Sequence, residues 1–239
     1  MRTDDPGARA RSVWDAVRMG GAHITDQKRT LRRRLREQRT RAYGGPEGTR
    51  RREAEGRALL HHAAAVSTLV EAALAEHGTA RVAAYHPTPT EADVMPLAAE
   101  LAELGAQLVF PAAAGHELEW ITWDGHSAFV PSPGKGFGHE PDGRRLGPRA
   151  LSEAVLVLAP AVAVDREGTR MGHGAGYYDR ALPHRPASTP VVAVIHPAEL
   201  LEPGILPREA HDVPIDAALT AEGLHVISDH LALPRAQRP

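Results

Sequence analysis

The chain has 239 residues, 42% hydrophobic and 24% charged, with a formal net charge of −2, the balance of one globular enzyme-sized unit. It contains no cysteine and no asparagine, which excludes disulfides, thiol nucleophiles, cysteine-bound metals and N-linked glycosylation. No stretch approaches the roughly 18 apolar residues of a membrane helix and no hydrophobic signal core opens the sequence, so a cytoplasmic protein is expected.

Residues 1–24 are rich in Arg, Gly and Ala without an apolar period, and are expected as a disordered extension. Asp26 then caps a helix running to about Tyr43, with Leu31 and Leu35 on one face and Lys28 and Arg32 sharing another. Charge is concentrated here. Residues 1–60 carry 16 Lys and Arg against 8 Asp and Glu, and the remainder 12 against 22. A basic segment on an acidic body suits either a nucleic-acid arm or a positive edge aimed at a phosphorylated ligand. Lys28 and Lys135 are the only lysines, so each marks a place where a compact ammonium group replaces the prevailing guanidinium.

After the Gly44-Gly45-Pro46 break, residues 48–77 read as one long helix with Leu59, Leu60, Ala63, Val66, Leu69, Val70, Ala73 and Leu74 on an apolar stripe. From residue 80 strands and helices alternate. Strands are expected at Arg81–Tyr85, Gln107–Phe110, Leu118–Trp123, Val155–Leu158, Val191–Ile195, Ala217–Thr220 and His225–Ile227. Helices are expected at Val94–Leu104 and around Tyr177–Leu182, and residues 124–150 as a long surface loop rich in Gly and Pro. This alternation predicts an α/β fold, an open and mostly parallel sheet with helices on both faces. The domain would span residues 25–230, with a flexible tail at 231–239.

The segment with most chemistry follows the apolar strand at 155–158. It runs Gly168-Thr169-Arg170-Met171-Gly172-His173-Gly174-Ala175-Gly176-Tyr177-Tyr178-Asp179. Glycines at every second position let backbone N–H groups crowd a phosphate, and the following helix adds its positive end. Arg170 offers a fork of donors to the same anion, and Asp179 suits a magnesium ion beside it. Neither a Walker A loop nor a dinucleotide fingerprint is present, since Tyr177 stands where the third glycine would fall. On the glycines alone, a structural turn between strand and helix is an equal reading. The attached Arg170, Tyr177, Tyr178 and Asp179 favour function.

This segment resembles the signature of the 5-formyltetrahydrofolate cyclo-ligases, an aspartate followed by Gly-x-Arg-Leu-Gly-x-Gly-x-Gly-Tyr-Tyr-Asp, with Met171 at the leucine position. Further segments resemble the same family in order: Lys28-Arg29-Thr30-Leu31-Arg32, Tyr85 to Asp93 with Glu91, Phe137 to Pro141, and His211-Asp212-Val213-Pro214-Ile215-Asp216. The resemblance covers residues 26 to 222 and implies a fold like that of sugar-phosphate isomerases and CoA transferases. It implies ATP contacts at Lys28, Arg29, Arg32, Arg170, Met171, Gly172, His173, Gly174, Ala175 and Gly176. It implies folate contacts at His86, Glu91, Tyr177 and Tyr178, and magnesium ligands at Asp179 and Asp212. Arg170 and Tyr177 would be catalytic. The implied reaction cyclises 5-formyltetrahydrofolate to 5,10-methenyltetrahydrofolate, with ATP phosphorylating the formyl oxygen and ADP and phosphate released. Magnesium would be the cofactor and the partners small molecules only, with a monomer, no nucleic acid and no membrane expected.

Bland readings stand beside several of these. Lys28 and Arg32 lie in a run of arginines that suits a solvated basic face. Glu91 could merely cap the helix near Val94, and Asp212 could be only a turn residue. Trp120 and Trp123 alternate along one strand, and Trp123 is the one expected beside the pterin. A nucleic-acid binder using arginines 29–57 is the reading from another class.

Overall fold

A computed structural model describes residues 6–133, 138–229 and 231. Helix α1 runs Pro6–Tyr43, α2 Gly45–Leu60, α3 Ala64–His77, α4 Met95–Glu103 and α5 Tyr177–Ala181. The strands are β1 Arg81–Ala83, β2 Gln107–Ala114, β3 Glu117–Trp123, β4 Phe129–Pro131, β5 His139–Pro141, β6 Ala154–Pro160, β7 Ala163–Asp165, β8 Arg170–Met171, β9 Val191–Val194, β10 Leu200–Leu201, β11 Ala217–Thr220 and β12 Gly223–Val226.

Seven strands form the main sheet in the order β12-β11-β9-β6-β1-β2-β3. The five central strands are parallel, and the two edges, β12 on β11 and β3 on β2, are antiparallel. The strands β9 and β11 are buried at every position, which explains their uninterrupted apolar text. Side-chain alternation splits the core in two. Val82, Leu108, Phe110, Leu156, Leu158 and Val192 face Leu59, Val66, Val70, Leu97 and Leu101 of α2, α3 and α4. Ala83, Val109, Val157, Ala159 and Ala193 face Leu151 and Leu182 from the 3₁₀ turns at 148–153 and 182–184, together with Ala181 of α5. Helical segments therefore cover both faces, as the strand-helix alternation predicts.

Four boundaries differ from the sequence reading. Residues 6–24, expected as a disordered extension, are continuous with α1, while residues 1–5 lie outside the described residues. The stripe over 48–77 is two helices bent by 52°. His61, His62 and Ala63 each bond to a carbonyl three residues back, and that tightened turn brings Val66 and Val70 under the sheet beside Leu59. The Gly- and Pro-rich stretch after Trp123 holds the β4–β5 hairpin, because Phe129 packs on the core and Glu140 is buried against Ser132 and Arg145. Leu231, placed at the start of a flexible tail, is buried in the core, and 232–239 lie outside the described residues. Among the described residues no single helix is long and apolar enough to cross a membrane.

A small sheet of β10, β7 and β8 sits beside the main one and receives α1. Leu35 is buried against Val162, Ala163, Met171 and Leu206, with Leu31 at the margin. Asp165 is fully buried and its carboxylate accepts the backbone N–H groups of Glu167, Thr169 and Leu206. That turn delivers Arg170 inward. It also requires a glycine: Gly168 has φ +86, and a Cβ there would lie 2.9 Å from the Ile215 carbonyl oxygen.

Candidate functional site

The chain leaves β1 for β2 and β3 on one side, then returns to place β6, β9 and β11 on the other. The carboxyl ends of β1 and β6 are thus where the topology reverses, the position at which open α/β sheets hold ligands. Tyr85 and His86 follow β1 and Pro160 ends β6, and all three line a cavity of about 530 Å³.

Helix α1 forms the cationic wall. Lys28, Arg32 and Arg36 recur at four-residue spacing and line the cavity, and Arg39 continues the face into the interior. The Lys28 ammonium donates to Asp212 Oδ2 at 2.6 Å and Glu209 Oε2 at 2.8 Å. Arg32 Nε donates to the Gly172 carbonyl at 2.8 Å, and Arg36 Nη2 to the His173 carbonyl at 2.8 Å. Burial and then the adjacent arginine pull both Arg32 and Arg36 below the ordinary guanidinium range. Cations that crowd one another this way, beside a cavity, form a standing attraction for an anion. The bland reading of a solvated face fails for Lys28 and Arg32, whose partners lie across the fold.

The Gly172–Gly176 loop is held against this wall. Gly174 adopts φ +103, and a Cβ on it would come within 3.2 Å of the Arg32 guanidinium. Only glycine permits both the turn and the close approach. Behind the loop, Arg170 has a buried side chain whose Nη2 donates to Asp179 Oδ1 at 2.8 Å. Its guanidinium sits over the Tyr178 ring at 5.6 Å. Among the described residues, Arg170 Nε and the Tyr178 hydroxyl are buried without a hydrogen-bond partner. Burial raises the Tyr178 phenol, which therefore remains a neutral donor. Unpaired buried donors on a cavity wall are costly unless a ligand meets them.

Glu91 faces the loop from the β1 side. It is 5% exposed, accepts the Thr88 N–H at 2.7 Å, and lies 2.6 Å from His173 Nε2. Burial opposes its ionisation, yet the His173 hydrogen bond, the Thr88 N–H and the nearby Arg39 hold its pKa at about 2. It does not cap α4; Asp93 accepts the Met95 N–H instead. His86 is packed on Phe129 and faces His139 across 5.5 Å, and burial followed by His139 lowers its pKa.

Glu209, His211 and Asp212 bring their ligand atoms within 4.8 Å of one another, and Asp179 lines the same cavity. Two carboxylates and a third on Asp179 suit a hard dication with water completing its shell. The two expected metal ligands are separately engaged, Asp179 with Arg170 and Asp212 with Lys28.

Of the residues expected at the site, Lys28, His86, Glu91, Arg32, the run Arg170–Asp179 and Asp212 all line one cavity. Arg29 and Trp123 do not. Arg29 is exposed and paired with Asp26, and it lines a neighbouring hollow together with Arg32, Arg36, His173 and Gly174. Trp123 packs edge-on to Phe110 and against Phe129, and its indole N–H donates to the Ser127 carbonyl, so it supports Phe129 rather than the cavity. Arg36, Tyr85, Thr88 and Glu209 line the cavity without having been read from sequence. The four-residue spacing Lys28–Arg32–Arg36 was the available signal for Arg36.

The sequence model of the 5-formyltetrahydrofolate cyclo-ligase family matches residues 24–221. A 5-formyltetrahydrofolate cyclo-ligase of Mycolicibacterium smegmatis is 38% identical over 145 residues, covering 58% of this chain and 72% of that protein. The Escherichia coli K12 protein of the same name is 33% identical over 146 residues, 58% of this chain and 76% of that one. The NMR structure of Aquifex aeolicus 5,10-methenyltetrahydrofolate synthetase superposes with a TM-score of 0.59 at 26% identity, over 88% of this chain and 98% of that one. A Mycoplasma pneumoniae synthetase shares the fold, with a TM-score of 0.56 at 17% identity over 81% of this chain and 98% of that one.

Proposed function

The chain belongs to the 5-formyltetrahydrofolate cyclo-ligase family, and from that membership we propose that it converts 5-formyltetrahydrofolate to 5,10-methenyltetrahydrofolate with ATP as co-substrate. The observation that carries the nucleotide half is the meeting of Lys28, Arg32, Arg36, Arg170 and the Gly172–Gly176 loop in one cavity. The folate half rests on Glu91, a buried carboxylate facing that loop from the opposite wall.

In this reading the formyl oxygen attacks the γ-phosphorus, the bond to the β-phosphate oxygen breaks, and ADP leaves. The lone pair of nitrogen 5 moves toward the formyl carbon, giving an iminium-like phosphate ester. Nitrogen 10 then bonds to that carbon, loses its proton to solvent, and the C–O bond to phosphate breaks to leave the methenyl bridge. Reactions of this kind need positioning and charge neutralisation more than a covalent nucleophile. Lys28 and Arg32 hold the phosphates, and Arg170, fixed by Asp179, faces the charge that develops on the transferred group. Tyr177 closes the loop side, its hydroxyl donating to the Gly115 carbonyl. Glu91 orients the pterin N–H groups through its two oxygens. Asp179, Asp212 and Glu209 would hold magnesium, which when bound neutralises phosphate charge.

The test is stoichiometric. ADP and phosphate should form one-for-one with methenyltetrahydrofolate and only when the formyl folate is present. ADP release independent of folate, or ring closure without ADP, contradicts the reading.

A further inference from the structure

His196 follows β9, is 1% exposed, and does not line the cavity. Its ring lies on that of Tyr43 with centroids 3.4 Å apart. Nδ1 is 2.7 Å from Glu55 Oε2, and Nε2 is 3.1 Å from the Thr90 carbonyl oxygen. Glu55 also accepts from the Tyr43 hydroxyl and from Arg51, so it stands as a carboxylate. Both ring nitrogens of His196 therefore face oxygen acceptors. One end is rooted in α2; the other grips the residue immediately before Glu91.

A second strut starts from the same turn. The His196 N–H donates to Glu199 Oε2, Arg39 Nε donates to Glu199 Oε1, and Arg39 Nη1 lies 3.8 Å from Glu91 Oε1. The two routes converge on one carboxylate, one through its backbone and one through its charge.

We propose that His196 is a positioning residue for Glu91, fixing where that carboxylate stands when the formyl folate binds. The proposal rests on Glu91 being the folate-side carboxylate. A buried histidine with both nitrogens paired is by default scaffold; here, however, its side-chain bonds end at Thr90 and its backbone bond leads through Arg39 to Glu91.

The experiment compares His196→Gln, Glu55→Gln and the double variant with wild type, measuring KM for each substrate, kcat and the melting temperature. A glutamine side chain can keep one of the two ring bonds but not both. The folate KM should rise about ten-fold, with the ATP KM within about two-fold. The double variant should add little to either single one, because both act through one network. Equal rises in both KM values, or a fall in kcat alone, indicates a general structural role and overturns the proposal. If His196→Gln fails to fold, Glu55→Gln carries the test, and an unchanged folate KM there overturns it equally. Glu91→Gln run in parallel separates the two claims. Should it leave the folate KM unchanged, the folate assignment of Glu91 is wrong. Should it raise the folate KM while folded His196→Gln raises neither, only the positioning role falls.

Discussion

His173 Nε2 lies 2.6 Å from Glu91 Oε1, so the glycine loop and the carboxylate on the facing wall touch directly. Arg36 Nη2 donates to the other ring nitrogen at 3.0 Å, which leaves Nε2 carrying the proton given to Glu91. The two walls of the cavity to which the proposed function assigns nucleotide and folate are thereby joined through one side chain. A folate held by Glu91 must share or displace that hydrogen bond.

Glu91→Gln should raise the KM for the formyl folate while leaving the KM for ATP near wild type. The same substitution should flatten part of the acid unfolding curve. Glu91 has its folded pKa lowered to about 2, against an ordinary carboxylate near 4.3 when unfolded. Its contribution is therefore present above the unfolded value and lost as pH falls through the folded one. Chemical denaturation at pH 5 and pH 3 should show wild type losing on the order of 2 kcal/mol more than the variant over that window. Equal pH slopes would show that the carboxylate is not held ionised by His173 and Arg39.

Lys28→Ala should raise the ATP KM by roughly thirty-fold, about 2 kcal/mol, the scale for losing a charged hydrogen bond. The substitution also leaves Glu209 and Asp212 facing one another without their cation. Arg33→Ala, on an exposed face of α1, should change the ATP KM less than about two-fold, as solvated charges usually do. Similar small effects from both replacements would return Lys28 to the status of a surface charge.

Asp179→Asn keeps an acceptor for Arg170 but removes the negative charge a dication requires. Turnover should fall by orders of magnitude and recover partly at high magnesium. Asp179 is also the partner of a buried guanidinium, so a stability loss on the order of 3 kcal/mol is expected from stranding that charge. Titrating magnesium against initial rate separates the two effects. Identical apparent magnesium affinities in wild type and variant place the ion elsewhere, with Glu209 and Asp212 as the remaining carboxylates.

The sheet was legible because strands buried on both faces are written as apolar runs, such as 155–158 and 191–195. The glycine loop was legible because its alternating glycines and the Tyr177-Tyr178-Asp179 run are local in sequence. What could not be read depends on partners far along the chain. Arg36 and Arg39 sit in an arginine-rich helix that reads as solvated, yet they bond to His173 and Glu199, 137 and 160 residues away. His196 and Glu55 are 141 residues apart, and neither stands in a segment with a chemical pattern of its own. The bend at His61–Ala63 was hidden for a different reason: the apolar stripe continues through it, because both helices pack on the same face of the sheet. Trp123 does not line the cavity, because alternation on β3 tells which face a residue takes, not what covers that face.

Absorbance of 5,10-methenyltetrahydrofolate, followed after mixing the protein with 5-formyltetrahydrofolate, ATP and magnesium, tests the central claim most directly. The signal should grow with protein concentration, require all three additions, and vanish when a non-hydrolysable ATP analogue replaces ATP. Arg170→Ala, folded as judged by its melting curve, should lose at least about a hundred-fold in rate, the scale of one preorganised charge contact. No methenyl signal under these conditions, or an equal signal without ATP, would contradict the claim.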